Sequence, residues 1–136
     1  MKVFFDTNVY VAETLLGRGA ARIMRAMARS KSRIFVNQHV IDETSHVLTD
    51  YMGLSKRFVQ LTQQRIQKRA ILVEGHSKAR VPADAKDTPV LRGALASGAH
   101  YLVSNDKHLL ALDPFESLRI VSMLEFLEIL KERGML

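Results

Sequence analysis

The chain has 136 residues, 47% of them hydrophobic and 25% charged, with a formal net charge of +6 and no cysteine. This composition is typical of one globular domain, and the lack of cysteine excludes a disulfide framework and any thiolate metal site. A basic chain attracts polyanions, of which nucleic acid is the commonest in the cytoplasm.

The first apolar run, from Met1 to Phe5, imitates the start of a signal peptide. Asp6 interrupts it at once, and no small-residue cleavage site follows. No apolar stretch of the sequence is long enough to span a bilayer. We therefore expect a soluble, cytoplasmic protein that forms a single domain over residues 1–136.

The first half of the chain alternates short apolar runs with apolar residues at helical spacing. Asn8 is the predicted N-cap of the first helix, which Gly17 and Gly19 break. In chain order the patterns predict a strand over Lys2–Phe5, helices over roughly Val9–Leu16 and Ala20–Ser30, a strand over Arg33–Val36, a helix opened by Asn37 or Gln38 that extends to Leu48, and a helix from about Ser55 to Arg69.

The second half continues the alternation. The patterns predict a strand over Ala70–Val73, a loop over Glu74–Lys86, a helix opened by Asp87 and closed by Gly98, a strand over Tyr101–Val103, a short helix over Leu109–Leu112, a strand over Leu118–Val121, and a helix from the capping box of Ser122 and Glu125 to Lys131. Strands that alternate with helices predict the α/β class, as a three-layer α/β/α fold with a central parallel sheet of about five strands and helices on both faces.

Four acids are predicted to share one edge of this sheet. Asp6 and Asp106 directly follow strands, while Glu43 and Asp87 lie early in helices that follow strands. A helix that follows a strand begins at the carboxyl edge of that strand, which is the edge where parallel sheets carry their working sites. The four carboxylates are therefore expected to gather there, although they are far apart in the sequence.

Clustered carboxylates need a cation, because like charges within about 4–6 Å oppose ionisation. Hard oxygen ligands without cysteine suit Mg²⁺ or Mn²⁺, which activate water and neutralise charge on a phosphodiester. Each acid also has a structural explanation, since Asp6, Asp87 and Asp106 could be helix caps and Glu43 an exposed helix residue. Four acids on one predicted edge favour the metal site over four separate explanations.

Three segments resemble the PIN-domain ribonucleases. The opening VFFDTNVYV resembles the start of a PIN domain, IDETSHVL resembles the helix that carries the family's glutamate, and DAKDTPVLRGALASGAHYLVSNDKHLLAL resembles the second half of the fold. Within the family, the sequence looks most like the toxin components of bacterial and archaeal toxin–antitoxin pairs. The resemblance implies a metal-dependent endoribonuclease that hydrolyses RNA phosphodiester bonds.

The resemblance also assigns residues. It places the catalytic and metal-binding acids on Asp6, Glu43, Asp87 and Asp106. Asn8 and Ser104 match supporting positions, where the family often has threonine in place of the serine. His108 stands where many relatives have a further acid, which weakens the case for a second metal site.

Four arginines lie on one face of the second predicted helix, opposite its apolar face: Arg18, Arg22, Arg25 and Arg29. They could contact RNA phosphates or acidic residues of a protein partner, and the alternative is a solvated helix face. Besides RNA, the expected partner is a small antitoxin that places a basic side chain among the carboxylates. A homodimer is an alternative that the sequence does not decide, and no membrane contact is expected.

Three other functions are open. The chain could be an RNA-processing nuclease without an antitoxin, or a non-catalytic module that binds RNA or protein and retains the acids. A phosphohydrolase with Asp6 as nucleophile is disfavoured, because such enzymes usually need another acid two residues on, where this sequence has Asn8.

Overall fold

A computed structural model describes residues 1–75 and 88–136. The described residues form five strands and seven α-helices: β1 (Lys2–Phe5), α1 (Thr7–Thr14), α2 (Arg18–Arg29), β2 (Arg33–Val36), α3 (Gln38–His46), α4 (Lys56–Arg69), β3 (Ala70–Leu72), α5 (Thr88–Ser97), β4 (Tyr101–Val103), α6 (Lys107–Leu110), β5 (Arg119–Val121) and α7 (Met123–Glu132). A π-helical turn over Val47–Tyr51 continues α3.

The strands form one parallel sheet in the order β3-β2-β1-β4-β5. In the centre, Phe4 pairs with Phe35 of β2 on one side and with Leu102 of β4 on the other. The chain leaves β1 in one direction to build β2 and β3, and in the opposite direction to build β4 and β5. The topological switch point therefore lies between β1 and β4, and ligands bind such sheets in the crevice outside the carboxyl ends at that point.

Helices cover both faces of the sheet, as right-handed crossovers require. On one face α1 and α7 pack over β1, where the Phe5 ring meets Tyr10 and Phe126 edge to face with 6.1 Å between ring centroids in each pair. There α1 also contacts α2 and α3, and α2 contacts α7. On the other face α5 contacts β1, β2 and β4. The predicted three-layer fold is confirmed.

Apolar burial is concentrated in the two central strands. Val3, Phe4 and Phe5 of β1 and Leu102 and Val103 of β4 are fully buried. Such continuous apolar runs are typical of strands covered on both faces. None of the helices in the described ranges combines the length and apolar character needed to cross a bilayer.

Three predicted strands have the observed bounds, whereas the starts of α1, α2 and α6 differ from the predictions. The prediction that Asn8 caps the first helix is wrong: the N-cap is Asp6, whose Oδ1 accepts a hydrogen bond from the amide of Thr7 at 2.7 Å. The second helix begins two residues earlier than predicted, after Gly17. A Cβ on Gly17 would lie 2.7 Å from the carbonyl oxygen of Ala12, so the tight turn between α1 and α2 requires glycine.

One further helix start differs from the prediction, and another cannot be compared. The short helix after β4 begins at Lys107, directly after its N-cap Asp106, and not at Leu109. The reason is that the Asp106 carboxylate caps the free amides of the first turn, so the helix starts at the acid and not at the next apolar pair. The predicted opening of α5 by Asp87, and most of the predicted loop before it, lie outside the described residues.

Candidate active site

Asp6 lies at the end of the central strand and is 5% exposed. Its amide donates to the carbonyl of Val103, which continues the pairing of β1 with β4. One carboxylate oxygen caps α1, and the other, Oδ2, accepts a hydrogen bond from the hydroxyl of Ser104 at 2.6 Å. The strand that supplies Asp6 and the strand that ends before Ser104 thus meet at the switch point.

Ser104 is fully buried and connects two of the predicted acids. Its Oγ donates to Asp6 and accepts a hydrogen bond from the amide of Asp106 at 3.0 Å. Asn8 lies beside this pair, with its Nδ2 3.4 Å from Ser104 Oγ and 3.5 Å from Asp6 Oδ2. The side-chain Oδ1 of Asn8 accepts a hydrogen bond from the backbone amide of Asn105 at 3.3 Å, which ties α1 to the loop after β4.

Asp106 is held by the start of α6. Its Oδ1 accepts hydrogen bonds from the amides of His108 at 2.8 Å and Leu109 at 3.4 Å. This is the N-cap geometry, and the helix dipole favours negative charge at that end. The carboxylate is therefore both a cap and a fixed, partly exposed anion at the edge of the sheet.

Glu43 lies on α3, in the helix layer next to α1. Its Oε2 is 3.4 Å from Nε2 of His39, one helical turn earlier, and its side chain is 42% exposed. No hydrogen bond joins the two groups, and His39 Nε2 is therefore buried without a hydrogen-bond partner. The contact is therefore a close approach of two polar groups and not a tight ion pair.

The pKa of Asp6 shows that these acids act on one another. Burial raises the pKa of Asp6, the hydrogen bonds from Ser104 and Thr7 lower it, and the negative charges of Glu43 and Asp106 raise it further, so that the net shift is upward from 3.8. Burial penalises the charged form, and two like charges add to that penalty. The edge of the sheet thus places a buried carboxyl group within the electrostatic field of two other acids.

Asn37 fixes the first turn of α5 against this edge. Its Oδ1 caps α3 by accepting from the amide of Val40 at 3.1 Å, and its Nδ2 donates to the carbonyl of Pro89 at 3.0 Å. Gly93 permits the approach, because a Cβ there would overlap Asn37 Nδ2 and lie 3.0 Å from Phe4 Cζ. Helix α5 begins at Thr88, the residue after Asp87 in the sequence. Asn37 therefore positions the helix that directly follows this predicted acid.

A comparison with protein-family profiles finds that the PIN domain profile matches residues 2–108. The chain belongs to the PIN domain family. A search of the curated proteins found no match. PIN domains are generally metal-dependent nucleases that use divalent metals.

The predicted PIN-domain residues have different placements in the structure. Asp6, Asn8, Ser104 and Asp106 form one hydrogen-bonded group, and Glu43 acts on Asp6 by its charge. The remaining acid, Asp87, lies outside the described residues. Within the described ranges, no three His, Asp or Glu side chains stand close enough together to hold a metal ion.

The donor chemistry of this PIN domain nevertheless fits a hard divalent cation. Asp6, Glu43 and Asp106 offer carboxylate oxygens, the ligand type that Mg²⁺ and Mn²⁺ prefer. Burial is the main cause of the raised pKa of Asp6, and a cation beside it would offset the further increase due to the charges of Glu43 and Asp106. The fit rests on this donor set and on the charge that Glu43 and Asp106 impose on Asp6.

Sequence reasoning missed three contributors to the site: His39, Asn105 and the link from Asn37 to Pro89. Asn37 was predicted as a helix start, which is confirmed, but its second bond spans 52 positions and has no local pattern. One signal was available. An isolated glycine inside a helical pattern, here Gly93, often marks a close approach by another element.

Proposed function

We propose that this PIN domain is a metal-dependent endoribonuclease that hydrolyses RNA phosphodiester bonds. The observation that carries the proposal is the buried Asp6 carboxylate at the switch point, with its pKa raised by burial and by the charges of Glu43 and Asp106. Perturbed carboxylates in such a crevice are typical of functional sites. The net charge of +6 supports a polyanionic substrate.

In this proposal Mg²⁺ or Mn²⁺ is held by four acids: Asp6, Glu43, Asp87 and Asp106. When bound, the ion supplies an activated water and neutralises the charge that develops on the phosphodiester. The chain itself supplies orientation. Ser104 holds the carboxylate of Asp6 and the backbone of Asp106 at the same time, and Asn8 joins α1 to the loop that carries them.

The test is cleavage of structured and single-stranded RNAs with and without manganese. Asp6→Asn and Asp106→Asn keep side-chain shape and remove ligand charge, so we expect cleavage to fall at least ~100-fold. Asp42→Asn is the matched control. Asp42 is exposed, bonds to Gln38 at 2.8 Å, and should tolerate the same loss of charge. Cleavage that survives both site changes rules out the assignment, and no cleavage by the unaltered chain favours a non-catalytic module.

We further propose that the nuclease is the toxin of a toxin–antitoxin pair. Support comes from a groove of about 280 Å³ between the end of α1 and α4, whose apolar lining includes Leu16, Phe58 and Leu61. These side chains are 88%, 43% and 46% exposed, and adjacent exposed apolar groups are typical of protein-binding surfaces. An antitoxin seated there, at the end of α1 opposite to Asp6, would have to extend along α1 to place a basic side chain among the carboxylates.

Co-expression with the product of the adjacent reading frame tests the pair. We expect the chain alone to slow growth, and the second protein to co-purify with it and restore growth. Leu16→Ser with Leu61→Ser should break the complex and leave RNA cleavage intact. Harmless expression of the chain alone would favour an RNA-processing nuclease without an antitoxin.

A further inference from the structure

Helix α2 presents four arginines to solvent along one line. The α2 arginine stripe consists of Arg18, Arg22, Arg25 and Arg29, all of them exposed. At 3.6 residues per turn the four positions fall within an arc of about 60° and extend about 16 Å along the helix axis. The stripe is therefore a straight row of guanidinium groups on a rigid element.

The opposite face of α2 anchors the helix. Ile23, Met24 and Met27 are buried in the core, and Gly19 lies against Leu127 of α7. The arginines consequently cannot turn inward to find partners. No residue in the described ranges forms an ion pair or a side-chain hydrogen bond with any of the four guanidinium groups.

This arrangement is unfavourable for the isolated helix. Like charges at i,i+3 and i,i+4 repel one another, and α2 contains no acidic residue to offset them. Arg18 also stands at the first position of the helix, where the helix dipole disfavours positive charge. An external polyanion would remove both penalties.

Helix α4 is an internal comparison, because it also carries an excess of cations. Its cations are Lys56, Arg57, Arg65, Lys68 and Arg69. At 100° per residue four of them fall within an arc of about 120° and Lys56 lies about 100° outside it, so they are less closely aligned than the α2 arginine stripe. Arg69 is bound to the Glu13 carboxylate through two hydrogen bonds of 2.7 Å. The alignment on α2 is thus a specific feature and not a consequence of overall charge.

We infer that the α2 arginine stripe binds the phosphate backbone of RNA outside the carboxylate site. The inference rests on the proposed ribonuclease function, because it concerns how that substrate is held. Guanidinium groups match phosphate geometry. None of the exposed large hydrophobic side chains lies on α2 itself, although Leu124 and Leu136 line a groove with Arg22. The centre of a protein interface is apolar, so a row of four arginines on one helix favours RNA over an acidic protein.

The stripe is connected to the carboxylate edge through its neighbours. Helix α2 contacts α1 and α7. Helix α1 begins at Asp6, and α7 begins where the amide of Met123 donates to Asn105 Oδ1 at 3.0 Å. RNA held along α2 therefore lies beside two helices whose first turns form the edge of the site.

The experiment measures binding of fluorescein-labelled single-stranded RNA by anisotropy, in chelator so that no hydrolysis occurs. One variant changes all four stripe arginines to glutamine. The control changes Lys56, Arg57, Arg65 and Lys68 to glutamine and so removes the same charge. Each lost phosphate contact lowers the slope of log Kd against log salt by about 0.7. We expect this slope to be lower by about 2.8 in the stripe variant, so that its Kd rises roughly 50-fold less than that of the unaltered chain between about 50 and 200 mM salt.

The control should lose less than about 1 from the slope, and the double variants Arg18→Gln/Arg22→Gln and Arg25→Gln/Arg29→Gln should each lose about 1.4. The double variants keep the test valid if the quadruple variant fails to fold. Equal effects of the stripe and control variants would overturn the inference, since net charge would then explain binding. Polyglutamate of equal length that binds as tightly as RNA, through the stripe alone, would overturn it in favour of an acidic protein.

Hydrolysis of bis(p-nitrophenyl) phosphate with manganese separates the two proposals. This small ester cannot reach from the site to α2, so the stripe variant should keep its rate on the ester and show a higher KM on RNA. If the unaltered chain hydrolyses neither substrate but the stripe effect on binding is found, the proposed catalysis fails, whereas the assignment of the stripe as an RNA-binding surface is supported. If RNA is hydrolysed and the stripe variant matches the control, the inference fails.

Discussion

Ser104 joins the two strand ends of the candidate site through a single buried hydroxyl. Ser104→Ala would remove the closest donor to Asp6 Oδ2 and the acceptor for the amide of Asp106. Since both groups would be left without that partner, we expect a loss of about 1–3 kcal/mol in the free energy of unfolding and reduced RNA cleavage. Urea unfolding and a cleavage assay check both.

Ser104→Thr is the control, because it keeps the hydroxyl and should retain activity. Equal losses of stability and cleavage in Ser104→Ala and Ser104→Thr would show that the side-chain volume at this position matters and the hydrogen bonds do not.

The raised pKa of Asp6 makes stability depend on pH in a defined direction. A carboxyl with a raised folded-state pKa binds its proton more tightly when folded, so its contribution is complete below the unfolded value of 3.8 and is lost as pH rises through the folded pKa. Asp6→Asn does not titrate. In chelator, we expect its stability relative to the unaltered chain to increase from about pH 4 to about pH 7.

Urea unfolding over that pH range is the measurement, with Asp42→Asn as the control because Asp42 is exposed. A difference in the free energy of unfolding between Asp6→Asn and the unaltered chain that does not change with pH would contradict the raised pKa of Asp6.

The residues of the candidate site differ in how readily the sequence reveals them. Asp6 and Asp106 follow strands and could be located from chain pattern and parallel topology. The shared hydroxyl of Ser104 and the Asn37 bond to Pro89 could not, since each depends on side-chain geometry between segments 52 or more positions apart. The functional role of the acids, including Asp87, stays a prediction.

Two helix glycines offer a test of close packing. Glycine is about 1 kcal/mol less favourable than alanine inside a helix. At Gly19 a Cβ would lie 3.4 Å from Leu127 Cδ1, an ordinary contact, so Gly19→Ala should stabilise the protein by up to about 1 kcal/mol. At Gly93 the Cβ would overlap Asn37, so Gly93→Ala should destabilise by about 1–3 kcal/mol and displace α5.

Thermal unfolding and RNA cleavage distinguish the two glycines, with reduced cleavage expected for Gly93→Ala and full cleavage for Gly19→Ala. A stabilised, fully active Gly93→Ala protein would show that Asn37 does not fix the first turn of α5.

At the level of elements, the bounds of three strands and the starts of α3, α4 and α7 were predicted, whereas the starts of α1, α2 and α6 were not. The buried strands β1, β2 and β4 have continuous apolar runs with the predicted bounds, because both faces of the sheet are covered. Helix starts depend on which of several polar side chains reaches a free amide. Asp6 and Asn8 are both good caps, and the pairing of Asp6 with β4 decided between them. The π-helical turn at Val47–Tyr51 has no signal in the apolar spacing, which continues through it.

Metal binding should stabilise the whole molecule through linkage. An ion that binds the folded state and not the unfolded chain adds about 2.7 kcal/mol at one hundred times its Kd. We expect the melting temperature to rise with manganese concentration in the unaltered chain and in Asp42→Asn, and to stay constant in Asp6→Asn. A thermal-shift series in which Asp6→Asn responds like the unaltered chain would place any bound ion elsewhere.

The meeting of Asp6 and Ser104 across 98 positions has a consequence for synthesis on the ribosome. Strand β1 is translated before its neighbour β4, and Asp106 follows β4 in the sequence. A nascent or prematurely terminated polypeptide that ends before β4 lacks the partner of Asp6 and cannot assemble the carboxylate group. The carboxylate group, on which the proposed RNA cleavage depends, therefore cannot form on a nascent chain until β4 and Asp106 have been translated.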